Sequence, residues 1–179
     1  PPDAWTRVHA GWATTIIPSN FNKIELKDSL HNQIIKIPIN DNEYFLIENR
    51  NNWFREGVSI DSARYTIWEE SNAYPSFINI LIDSVNISKN EFGVITSIPN
   101  YNLGLPASGL LIWHIDQKKI NEGFNTYSIN SDPQLMGIDL EEADGAQDMG
   151  YISNLLTDPS SGYWGDMWFR ENLEYFRAN

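Results

Sequence analysis

The sequence predicts a mainly β protein: an antiparallel, sandwich-like module with a short N-terminal helix and an irregular C-terminal tail. Two observations carry that reading. Apolar segments follow Gly11 at about ten-residue spacing, divided by Asn, Ser and Asp, the cadence of an all-β sandwich or meander rather than of alternating βαβ units. One of them, EYFLIENR, has a continuous apolar centre of strand length, as a central strand covered on both faces would. Past Gly150 the regular pattern fades into Pro, Ser, Gly and aromatics, which reads as an extended tail lying against a surface.

The opening PPDAWTRVHAGW reads as a short helix, with Asp3 placed to cap it after two prolines and Gly11 to end it. Trp5, Val8 and Trp12 fall on one apolar face that must dock on something. TTIIP, NKIELKDSL, QIIKIPI and EYFLIENR follow as strands. In NKIELKDSL, Ile24, Leu26 and Asp28 share one face and Lys23, Glu25 and Lys27 the other, the alternation of a half-buried strand. A polar loop is expected from Asn51 to about Asp61. SFINILIDSV and EFGVITSI come next, with a turn at Ser88-Lys89-Asn90. GLLIWHID is a further strand, and residues 117–133 read as polar loop with one helical turn. These elements suggest residues 1–13 as a docking helix or linker, 14–150 as the β-rich domain and 151–179 as the aromatic tail.

A chain of 179 residues buries roughly 70% of its unfolded surface on folding, so it needs neither metal nor disulfide as a staple. Cysteine is absent, which excludes thiolate chemistry and a disulfide framework. No apolar run is long enough to span a membrane. The chain opens on Pro1-Pro2 without Met, and is therefore expected to derive from something longer. The 24 acids outnumber the 12 bases, which argues against nucleic acid or anionic lipid as partner. Acidity is concentrated C-terminally: residues 137–179 hold nine acids and two bases. Cations gather at such a surface.

The usual catalytic signatures are missing. The histidines are His9, His31 and His114, and no H-E-x-x-H occurs. No G-x-S-x-G elbow or phosphate-cradling loop is present either. His114 and Asp116 lie two apart at a strand end and so point to one face. They read either as a catalytic or ligand pair, or more plainly as a structural polar pair in which the aspartate caps the next turn.

GIDLEEADGAQDMG places Asp139, Glu141, Glu142, Asp144 and Asp148 together with no Lys or Arg among them. It is not an EF-hand: with Gly145 at position 6, Leu140 and Tyr151 would occupy positions 1 and 12, where acids are required. Asp139, Glu142, Asp144 and Asp148 around Gly145 are the candidate ligands of a less regular calcium site. A solvated or salt-bridged acidic loop is the alternative. Strand alternation separates Asp139 and Glu141 from Glu142 and Asp144, so convergence requires the strand to end near Glu142. In the tail, Tyr163, Trp164, Trp168 and Phe169 read either as tail-docking aromatics or as platforms for stacking on sugars.

Four stretches together resemble the region downstream of the catalytic domain in secreted immune inhibitor A-like zinc metallopeptidases. They are AWTRVHAGW, EYFLIENR, GLPASGLLIWHID and GIDLEEADGAQD, in matching order and spacing from about Ala4 to Asp148. The resemblance implies an accessory portion of a secreted or cell-surface protease, bacterial or archaeal, acting on protein substrates. In that family an H-E-x-x-H-x-x-G-x-x-H helix upstream holds the zinc. Nothing in this chain matches that helix, so no zinc ligand or catalytic glutamate carries over. The module would be non-catalytic, with Trp5, Val8 and Trp12 docking on the upstream metallopeptidase domain and calcium as a stabilising ion. The competing expectations are an extracellular carbohydrate-binding or adhesion module and a hydrolase using His114 and Asp116.

Overall fold

A computed structural model describes residues 2–19, 23–27, 32–55, 58–59, 69–71, 88–98, 100–149, 162, 164–170 and 172. The chain divides into two compact units, residues 51–108 and residues 2–50 with 109–179.

The second unit is built on a five-stranded sheet in the order β1 (Thr14–Ile16), β2 (Gln33–Pro38), β3 (Glu43–Arg50), β8 (Gly109–Asp116), β9 (Ile138–Leu140). The mainly β expectation holds, and EYFLIENR and GLLIWHID are the strands β3 and β8. The ladders β2–β3, β3–β8 and β8–β9 are antiparallel, but β1 runs parallel to β2. Residues 17–32 are long enough for the crossover that a parallel pair needs. The antiparallel expectation is corrected at β1 alone. Residues 23–27 form no ladder, although Ile24 and Leu26 are half-buried and Lys23, Glu25 and Lys27 exposed, as the alternation predicted. Leu26 instead offers its carbonyl to the Asn49 side chain of β3, at 2.9 Å.

Helix α1 (Ala4–His9) is capped by Asp3, whose carboxylate accepts the Thr6 N–H at 2.8 Å and the Thr6 hydroxyl at 2.6 Å. Gly11 follows with φ +74°, the left-handed geometry in which glycine avoids a Cβ clash. Helix α2 (Gln117–Gly123) begins at Asp116, whose carboxylate accepts the Lys119 N–H at 3.0 Å. It is longer than the single helical turn expected there. Gly123 is required at its end: a Cβ there would meet the Ile129 backbone nitrogen at 2.8 Å.

The core lies between the helices and one face of the sheet. Ala4 and Trp5 of α1, Ile34, Leu46 and Ile115 of the strands and Ile120 of α2 are buried together with Ala13. Val8, Tyr44, Trp113, Ile129 and Ile138 pack around them. Each large apolar side chain fully buried contributes about 1.5–3 kcal/mol. On the opposite face of β3, Phe45, Ile47 and Asn49 are only half-buried. The strand is central, as its composition suggested, but the full cover expected on both faces is found on one. That buried face also holds ions: Glu48 pairs with Arg7 of α1 and with Arg50 Nε at 2.6 Å, and accepts the Trp113 indole N–H at 2.9 Å.

In residues 51–108, β4 (Trp53–Arg55) pairs with β5 (Val58–Ser59) where a polar loop was expected. β6 (Ser88–Lys89) pairs with β7 (Ile95–Ser97). The turn is centred past Asn90 rather than on Ser88-Lys89-Asn90. The Asn90 side chain holds it by accepting the N–H groups of Phe92 and Val94, and Gly93 supplies φ +79°. The buried Asn52 fastens the loop before β8, donating to the Leu105 carbonyl at 2.8 Å and accepting the Ser108 hydroxyl at 2.8 Å. The strand expected at SFINILIDSV lies outside the described residues.

Candidate metal centre

Convergence of the acidic cluster depends on where β9 stops. β9 ends at Leu140, and Glu141 makes the last ladder contact, donating its N–H to the Ile112 carbonyl at 2.8 Å. The chain then turns, with Gly145 at φ +75° and Gln147 at φ +51°. The condition set by strand alternation is therefore met, and the carboxylates past the strand end can approach one another.

Glu142 is 4% exposed and organises the turn. Its two carboxylate oxygens accept the N–H groups of Asp148 at 2.9 Å and Met149 at 2.8 Å. Asp144 accepts the Ala146 N–H at 2.9 Å. The third member comes from far along the chain. Asp166 sits in a short 3-10 helix, Trp164–Asp166, and is 1% exposed. Its carbonyl accepts the Ala143 N–H at 3.0 Å, which ties that helix to the turn. Glu142, Asp144 and Asp166 each offer a carboxylate oxygen within 4.8 Å of the others.

The expected quartet is thus not the group that the fold gathers. Glu142 and Asp144 converge, and Asp166 takes the remaining place. Asp148 lends the turn its backbone N–H to Glu142. Asp139 stays on β9, opposite His114 of β8, and burial raises its carboxyl above the ordinary carboxylate range against the opposing pull of a backbone hydrogen bond and His114. Local spacing held no signal for Asp166. The clue available was the aromatic run around it, which marked the tail as docked without saying where.

Docking of that tail is visible in atomic contacts. Trp168 forms an antiparallel bridge with Leu110, and its indole N–H donates to the Glu141 carbonyl at 2.7 Å. Buried Asn172 donates to the carbonyls of Gly165 and Met167. The Trp168 ring is half-buried, and its polar edge faces the protein. Trp164 lies in the 3-10 helix, with its side chain outside the described atoms.

His114 lies 3.5 Å from the Glu43 carboxylate and tilts against the Phe45 ring, partly exposed. Asp116 caps α2, so the pair takes two separate jobs, the aspartate's being the one the plain reading gave it. Trp5 is buried in the core and Val8 packs against it, so their shared face is covered within the chain. Trp12 lies past the end of the helix and is 64% exposed.

Oxygen ligands at this spacing suit a hard divalent cation such as calcium or magnesium. A cation would offset the mutual repulsion of neighbouring carboxylates, which is strong where water is excluded. Compared with protein-family models, curated proteins and solved structures, the chain matches none.

Proposed function

We propose that this chain is a non-catalytic, β-rich accessory portion of a secreted immune inhibitor A-like metallopeptidase, stabilised by calcium on Glu142, Asp144 and Asp166. The gathering of those three carboxylates, two from the turn after β9 and one from the C-terminal segment, supports the ion. Its chemical task there is structural: it offsets most of the cluster's charge and ties the segment carrying Asp166 to the turn. Zinc and the catalytic glutamate belong to the parent's upstream domain.

The family reading rests on the resemblance of the four stretches in sequence. AWTRVH forms α1, EYFLIENR forms β3, GLLIWHID forms β8 and IDL of the acidic stretch forms β9. Stretches far apart in the chain become neighbours, with α1 against β3 and β8, and β3, β8 and β9 adjacent in the sheet. With Trp5 and Val8 turned inward, exposed Trp12 is the member of the expected docking face left to meet the upstream domain.

Two experiments test the two halves separately. Reading the coding sequence upstream of Pro1 should find an H-E-x-x-H-x-x-G-x-x-H helix; its absence overturns the protease relationship and leaves the ion untouched. Calorimetric titration of the chain with calcium should show one site that Asp166→Asn removes. Heat that survives the substitution overturns the site.

A further inference from the structure

We draw no further inference here: the strongest candidate, the exposed apolar tip of the β6–β7 hairpin formed by Phe92, Val94 and Ile95, carries nothing because nothing in the structure shows what covers it.

Discussion

Leu110 of β8 and Trp168 near the C-terminus face each other as an antiparallel bridge, each donating its backbone N–H to the other's carbonyl, at 2.8 and 3.2 Å. The bridge continues the sheet beyond the end of β9 and sets Asp166 beside the acidic turn. It also explains the glycine at the start of β8, since a Cβ on Gly109 would meet the Trp168 carbonyl oxygen at 2.7 Å. Gly109→Ala should therefore loosen the segment and cost about 1–3 kcal/mol, the range for overpacking a tight contact. Urea unfolding followed by tryptophan fluorescence reads the loss, and unchanged stability would mean that the bridge is dispensable.

Calcium should raise the unfolding temperature of the wild-type chain. A hundredfold excess over Kd stabilises by about 2.7 kcal/mol. Asp144→Asn and Asp166→Asn should abolish that gain, while Asp139→Asn and Asp148→Asn should keep it. Differential scanning fluorimetry with and without chelator separates the two classes. Equal behaviour of all four variants would dissolve the distinction drawn from the geometry.

Glu48 is the shared anion for Arg7 and Arg50 beneath α1, and it also holds the Trp113 indole. Burial lowers the pKa of Arg7, with Arg50 adding to the pull, and Glu48 and Asp3 oppose it. Glu48→Gln leaves two buried cations facing a neutral amide, and removing one partner of a buried pair costs about 3–5 kcal/mol. A denaturant midpoint within error of the wild type would show that the ion cluster adds nothing.

Asp139 sets a pH dependence with a definite sign. Burial raises its carboxyl above the unfolded value, so the folded state binds that proton more tightly. The stabilisation from protonated Asp139 is fully present below the unfolded carboxylate pKa, about 3.9, and is lost as pH rises through the higher folded value. Asp139→Asn removes the titration, so the variant should gain on the wild type as pH rises from 3 towards 7. Paired urea titrations across that range measure the difference, and a flat difference refutes the assignment.

The two helix caps offer a smaller effect. Asp3→Ala and Asp116→Ala each remove a side-chain acceptor from a first-turn N–H, and each should cost about 0.5–2 kcal/mol. Asn in place of either aspartate should retain most of the stability, because it caps comparably.

Much of this was legible in the sequence because it follows from local chemistry. Asp3 and Gly11 bracket α1 through the hydrogen bond and backbone angle that those residue types favour. β3 and β8 occupy the segments their apolar centres marked, and the alternation of residues 23–27 survives as burial even without a ladder. Two of the cation candidates, Glu142 and Asp144, were set by their position just past a strand end.

Tertiary structure alone decided the rest. The parallel sense of β1, the one-sided cover of β3 and the arrival of Asp166 beside Glu142 are pairings between residues distant along the chain. Periodicity reports which face of an element is apolar. It does not report which element will lie against that face, because the choice depends on the summed packing of the whole chain. Trp5 shows the difference: its sequence required that it dock, and only the fold placed that docking on the protein's own sheet.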